Sequence, residues 1–422
     1  MCRTMAAWYI ASGTSSLGYL APNSVRADNP VNVGLDEWIN NYQHIVKYSS
    51  ASKFQVDYHI IPPRTRDISR IFEHDNGAIL DVYLGLTPFV EMRSMIDAGI
   101  IEPWNNYMPK HAIDDILPVI RDECSVDGKL YSWPFLVDIH GMAWNSRLID
   151  NIGLSAPPST WAEYLEDAAN VVESFNLPYG ATFDPHGWRS LVPFAHSFSS
   201  DIYTEDGLFD FSSEAAEQAI VLMKKLQDLS HYDILHHGAS YSNFIGTPDE
   251  VAFASQQVGF YTKYLNAPLR MAQHWDKPAE LKIAALPKYA SDQGSSLFWT
   301  TGAALLKNGK NKEAVAEYIL ELTYEAEFWK RALAESSIGS TGQIPPYRSI
   351  YTEWRHNPPH WLPDYVLLAW SELQRGSSIA NHPLSFQQFV IGQAIWEKYL
   401  NGAENNPKAV LSQVTDAISR LQ

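Results

Sequence analysis

Cysteine is nearly missing from this chain. Cys2 and Cys124 are the only two in 422 residues, and without a Cys-x-x-Cys pair there is no thiolate set for a structural zinc or a redox dithiol. No apolar run reaches the ~18 to 20 residues needed to span a bilayer. Basic charge is scarce too. Thirty-one Lys and Arg face 48 Asp and Glu, a net charge of −17, which repels nucleic acid and anionic membrane surfaces and makes both poor partners. The chain also lacks a Gly-x-Ser-x-Gly elbow, a His-Glu-x-x-His helix and a Gly-rich phosphate loop. Its histidines, His236 and His237 included, lack ligand spacing, so neither a metal nor a cofactor is expected. Repeats and low-complexity tracts are absent as well.

What is present has the balance of a globular protein, 45% hydrophobic and 19% charged, and the length favours two domains. At the N-terminus, Arg3 precedes a short apolar stretch, and Val25-Arg26-Ala27 has Val at −3 and Ala at −1, as before a signal-peptidase cut; residues 1–27 are the expected signal peptide. Cleavage there removes Cys2 and leaves Cys124 without an internal partner. Strand-like and helix-like segments then alternate, which points to α/β layers with parallel strands. Val31–Leu35, Phe54–Ile61, Ala78–Leu84, Val258–Tyr261 and Leu281–Leu286 read as strands. Helices are predicted over Trp38–Tyr48, Phe89–Ala98, Trp161–Phe175 behind a Thr160/Glu163 capping box, Glu214–Ser230 behind Ser212 and Ser213, Lys312–Tyr324, Leu384–Leu400 and Lys408–Leu421.

The segment Asp127-Gly-Lys-Leu-Tyr-Ser-Trp-Pro-Phe-Leu-Val-Asp-Ile-His-Gly-Met-Ala-Trp-Asn145 resembles the first crossover of the solute-binding proteins of ABC importers, the family of maltose-binding and other extracellular sugar-binding proteins. Leu148, Gly153, Leu154, Pro157, Pro158, Thr160 and Trp161 continue the pattern, with one extra residue between Leu148 and Gly153. Asp81–Leu84 with Ala98–Trp104, Gln257–Tyr261, Ala284–Pro287 with Thr301–Leu306, and Ile338–Pro346 are similar to later segments, in the family's order. The resemblance implies a periplasmic-binding-protein-like fold of type II: two doubly wound α/β lobes joined by three crossovers near Pro134, Pro287 and Gly339, with a ligand cleft between them. It puts residues 28–135 and 288–340 in an N-lobe, and 136–287 and 341–422 in a C-lobe. It further implies a monomer, periplasmic or extracellular, that captures a carbohydrate and delivers it to ABC permease subunits.

A sugar offers an apolar ring face and a rim of hydroxyls, which aromatic rings and polar side chains match. Fourteen Trp and 22 Tyr supply rings, although core packing is the default for any one of them. By resemblance, Asp138 past the first crossover accepts ligand hydroxyl protons; Trp188, Tyr261, Tyr264 and Trp299 are ring contacts; and Phe386 and Gln388 approach the cleft late in the chain. His140 shares a strand face with Asp138 by the period of two. Asp36, Glu37 and Trp38 follow the first strand and offer polar contacts, although Asp36 and Glu37 equally suit a helix N-terminus; Thr87 ends the third strand, where some relatives carry Trp and Asp, and the absence of those types here argues against maltodextrin itself. Paired carboxylates among rings also describe a glycoside hydrolase, and a sensory binding protein that docks a receptor shares the same fold. A polyol or glycerol phosphate ester is not excluded, although few basic residues sit where a phosphate would need them. The binding reading predicts that a bound neutral carbohydrate is recovered unchanged: mass spectrometry after long incubation should show no product, and turnover well above one equivalent would identify an enzyme.

Overall fold

The computed structural model describes residues 30–36, 54–61, 80–153, 156–184, 187–231, 247–288, 294–334 and 344–422. The expected signal peptide, the helix over Trp38–Tyr48, Glu37, Trp38, His236, His237 and Gly339 lie outside them. Eleven strands are found among the described residues: β1 Val31–Asp36, β2 Val56–Ile61, β3 Val82–Leu86, β4 Ile101–Glu102, β5 Ser125–Val126, β6 Lys129–Leu130, β7 Ser132–Asn145, β8 Tyr179–Phe183, β9 Val258–Tyr264, β10 Leu281–Ala285 and β11 Phe298–Leu306. The order β2-β1-β3-β11-β7-β9-β8 forms one path, with β10 beside β7 and β4 beside β11. Pairing is mixed: β1 is parallel to β2 and β3, β8 is parallel to β9, and β7 and β11 run antiparallel to their neighbours.

Strand β7 belongs to two sheets. Its first half pairs with β11, and its second half pairs with β9 and β10. Every residue of β7 is buried, so each ladder bond is needed to satisfy its backbone. Two large cores flank this strand. One gathers β1, β3 and β11 with Trp104, Trp133, Trp329 and Trp354. The other gathers the far half of β7, β8 and β9 with Trp161, Phe194, Phe211 and Trp396. Several of these indoles bury a paired N–H: Trp104 donates to the Ala303 carbonyl at 2.9 Å, Trp133 to Thr323 Oγ1 at 3.0 Å and Trp161 to Ser197 Oγ at 2.7 Å. They are packing residues, the default for a large buried aromatic.

Between the cores the chain crosses at His140, Leu297 and Ser377, which lie side by side. His140 N–H donates to the Leu297 carbonyl at 2.9 Å, Phe298 N–H to the Ser377 carbonyl at 3.0 Å, and Ser377 N–H to the Ser296 carbonyl at 3.0 Å. The prolines at 134 and 287 are not the points of passage, because β7 runs unbroken through Pro134 and Leu286 still packs in the second core. Residues Ile344 to Leu373, expected in the C-lobe, pack in the first core instead: Ile350, Tyr351 and Trp354 face it from helix Arg348–His356, and Val366, Ala369 and Leu373 from helix Asp364–Leu373. The return to the second core begins at Ile379.

Local rules set the second core's frame. Thr160 Oγ1 accepts the Glu163 N–H at 3.3 Å, and Glu163 Oε2 accepts the Thr160 N–H at 3.1 Å, closing the capping box that starts helix Trp161–Phe175. Gly180 lets that helix lie against β8, since a Cβ there would fall 2.3 Å from the Ala168 carbonyl oxygen. Gly180→Ala should therefore lower stability by about 1–3 kcal/mol, read as a lower urea midpoint at unchanged slope.

Candidate ligand site

Strand register builds the site. Trp299 on β11 lies opposite Asp138 on β7, and Tyr264 on β9 lies opposite His140 on β7. Opposed residues share a sheet face, and so do residues two apart. Asp138, His140, Tyr264 and Trp299 thus meet where the two sheets join. Their rings touch: His140 to Trp299 at 5.2 Å, Tyr264 to Trp299 at 5.1 Å and His140 to Tyr264 at 6.3 Å, all edge to face. Trp188, on the turn Gly187–Arg189, adds an edge-to-face contact with Trp299 at 5.4 Å. Phe89 completes the group at 5.5 Å from Trp188. It comes from the one-turn segment Pro88–Met92 after β3 and reaches across into the second core.

Phe89 escaped the sequence reading, although it lies two residues past Thr87, which was singled out. Thr87 itself is buried and its N–H donates to Glu91 Oε1 at 3.2 Å. By the lobe bounds expected from the resemblance, Trp188 falls in the C-lobe and Trp299 in the N-lobe; both pack with the second core, and Phe89 is the ring that arrives from the other side. Asp138 is buried, and both its oxygens accept from Asn266 Nδ2, at 3.0 and 3.2 Å. The structure does not bring Tyr261 or Gln388 to the cluster. Tyr261 is sealed, with its ring on Phe253 at 4.8 Å and its hydroxyl donating to Asp249 Oδ2 at 2.6 Å. Gln388 is sealed too, accepting from the Phe209 N–H at 3.0 Å and donating to the Ser385 carbonyl at 3.2 Å. Phe386 is half-buried against the second core. Asp36 ends β1, and its side chain is outside the described residues.

Behind the rings lies a buried ion network that sequence gave no sign of. Lys263 is fully sealed, and its ammonium meets Asp249 at 2.8 Å, Asp184 at 3.1 Å and Glu250 at 3.2 Å. Asp184 also pairs with Arg189 at 3.0 Å, and Glu250 with Arg270 at 3.2 Å. Arg270 Nε donates to Asn266 Oδ1 at 3.3 Å, which joins the network to Asp138. Burial alone would depress the Lys263 pKa; the carboxylates of Asp184, Asp249 and Glu250 outweigh it and hold the value well above the ordinary one. The guanidinium of Arg189 lies 4.3 Å from the centre of the Trp188 ring.

Burial acts on His140 in the opposite sense to those carboxylates. Loss of solvation drives its pKa from 6.5 down to about 3, and the hydrogen bond it donates to the Arg189 carbonyl only partly opposes this. His196, sealed in the second core, is likewise pushed down to about 3 by burial. Glu123 is pushed up to about 8 by burial, although Thr300 donates to it at 3.3 Å. For the two histidines the folded pKa lies below the unfolded one, so their contribution is whole above pH ~6.5 and drains away as pH falls toward 3. Glu123, raised in the fold, contributes fully below its unfolded value of 4.5 and loses that as pH rises toward 8. As pH falls from 6.5 to 5 the histidines come to prevail, their uptake on unfolding rising from about one proton to about two against the roughly one that Glu123 releases. Urea denaturation should show stability falling on acidification there, and Glu123→Gln should steepen the fall by about 1.4 kcal/mol per pH unit.

With this geometry in view, similarity to known proteins is informative. Residues 81–323 match the family model described as bacterial extracellular solute-binding protein. A mannitol-binding protein of Pseudomonas aeruginosa is 23% identical over 240 residues, 54% of this chain and 53% of that relative, so the chain spans about half that relative's length. The structure of T. maritima MalE3 with maltose bound superposes at a TM-score of 0.72 and 14% identity, over 93% of this chain and 100% of the other. The sugar-binding protein MalE of Xanthomonas citri gives 0.75 and 16%, over 93% and 97%. An ABC transporter solute-binding protein of Agrobacterium vitis S4 with bound D-mannitol gives 0.67 and 15%, over 93% and 97%. The two-lobed α/β architecture read from the sequence is the fold of these proteins, and the family match covers more than half of the 422 residues: this chain belongs to the bacterial extracellular solute-binding proteins.

Proposed function

We propose that the chain captures an uncharged sugar, oligosaccharide or sugar alcohol between its two lobes and hands it to the permease subunits of an ABC importer, acting as a secreted monomer without catalysing a reaction. The observation that carries this reading is the ring cluster at the junction of the two sheets, Trp188, Trp299, Tyr264, His140 and Phe89, set beside the carboxylate of Asp138. Rings suit the C–H faces of a polyhydroxylated ligand, and a carboxylate suits its hydroxyls. The relatives bearing maltose and D-mannitol in a like fold support the same ligand class, as does the mannitol-binding protein of Pseudomonas aeruginosa. Segment 1–27 acts as the export signal in this reading.

A ligand that binds the native state alone raises the melting temperature by mass action, about 2.7 kcal/mol at a hundredfold excess over Kd. A thermal-shift screen of neutral monosaccharides, hexitols and oligosaccharides should yield such a shift for at least one class, and a flat response across the panel would defeat the proposal. With the ligand so identified, Trp188→Ala should weaken binding about tenfold or more, because a half-buried ring at the site is lost. It should melt closer to the parent than Trp133→Ala, whose sealed cavity costs ~3–5 kcal/mol. Calorimetric titration and melting curves separate the two effects.

A further inference from the structure

Three polar atoms near the turn Gly187–Arg189 are sealed from solvent and lack a hydrogen-bond partner among the described residues: Nδ1 of His140, Nε of Arg189 and Oγ of Ser190. Buried polar atoms are overwhelmingly paired, so three such atoms on two neighbouring residues and one side chain bonded to them require a reason. Capping does not supply it. Ser190 precedes helix Leu191–Phe198, yet its hydroxyl makes no cap bond. Nor does the ion network, which engages Arg189 through Nη1 on Asp184 and leaves Nε aside.

Their chemistry is specific. His140 Nε2 lies 2.8 Å from the Arg189 carbonyl, which can only accept, so the ring proton sits on Nε2 and Nδ1 carries a bare lone pair. Arg189 Nε–H can only donate. Ser190 Oγ can do either. The set lies against the ring cluster, with His140 on Trp299 at 5.2 Å and Arg189 over Trp188 at 4.3 Å.

We propose that His140, Arg189 and Ser190 read the hydroxyl groups of the ligand: Nδ1 accepts a hydroxyl proton, Nε–H donates to a hydroxyl oxygen, and Oγ serves as either. The inference rests on the sugar or sugar-alcohol reading of the site and deepens it by naming the polar contacts. A hydroxyl both donates and accepts, so it suits a bare acceptor near a donor. A carboxylate or phosphate does not, since it would face the lone pair of His140, and the charge of Arg189 is already matched by Asp184 at 3.0 Å. The selected class is therefore uncharged and rich in hydroxyls. The burial that keeps His140 neutral preserves its lone pair through the neutral pH range.

The test uses the full chain and a panel of neutral monosaccharides, hexitols and oligosaccharides, with D-mannitol, D-tagatose and maltose included, followed by calorimetric titration of three variants. His140→Gln can keep the donor that faces the Arg189 carbonyl while removing the acceptor at Nδ1. Arg189→Lys keeps the charge beside Asp184 and removes Nε–H. Ser190→Ala removes one oxygen. The expected result is binding of a panel member by the parent, weakened about three- to tenfold in His140→Gln and Ser190→Ala and about tenfold or more in Arg189→Lys, at melting temperatures near the parent's. A parent that binds while all three variants bind within twofold of it overturns this assignment and leaves the sugar-site reading standing. A parent that binds nothing on the panel overturns the site reading and this assignment with it. Should Arg189→Lys fail to fold, the other two variants decide.

Discussion

A backbone ladder broken in mid-strand leaves buried N–H and C=O groups unpaired, and β7 runs fourteen residues through the middle of this protein with every one of them buried. It satisfies that constraint by changing partners: β11 holds its first half, β9 and β10 its second. The change of partner occurs around His140, where the strand face passes from one core to the other. The register of those pairings places Trp299 opposite Asp138 and Tyr264 opposite His140. The site is thus a consequence of how one strand is sewn into two sheets.

The ion network answers to a different physical demand. Removing a lysine ammonium from water costs several kcal/mol, and three carboxylates within 3.2 Å offset that cost without clearly exceeding it. Stability alone is a weak reason for such a cluster. Position is a stronger one. Lys263 is on β9, Asp184 follows β8, Asp249 and Glu250 open helix Pro248–Ala254, and Arg270 lies on helix Asn266–Ala272. One set of contacts therefore fixes four elements behind the rings and, through Asn266, orients Asp138 on a fifth. Arg189 is held by the same Asp184 oxygen that meets Lys263.

Much of this was legible in sequence because it depends on neighbours along the chain. The Thr160 capping box, the strands beginning at Val31 and Val258, the closing helices and the shared face of Asp138 and His140 follow from local pattern. The ring cluster was partly legible, through Trp188, Tyr264 and Trp299. What could not be read depends on tertiary meeting. Lys263 sits in an apolar strand, and nothing near it in sequence announces Asp184 or Arg270. Tyr261 looked like its neighbour Tyr264, yet it pairs with Asp249 beneath the surface, three residues being enough to turn a side chain to the other face of a strand. Residues Ile344–Leu373 carry the apolar pattern of either core, and only packing assigns them to the first.

In the proposed binding role, a hinge would lie in the band where His140, Leu297 and Ser377 are joined by three backbone bonds, since rotation there leaves both cores intact. A ligand moves such an equilibrium only by binding one arrangement better than the other. Across the cleft the rings meet through Phe89 and Trp188 at 5.5 Å, an aromatic pair of the kind worth about 0.5–1.5 kcal/mol beyond its area. A ligand bound at micromolar Kd supplies about 8 kcal/mol in total. Only the part of that energy that differs between open and closed lobes drives closure, but a fraction of it already exceeds the ring pair. In the proposed role, Phe89 from the first sheet and Trp188 from the second would meet the ligand from both sides, and that difference would arise at such residues.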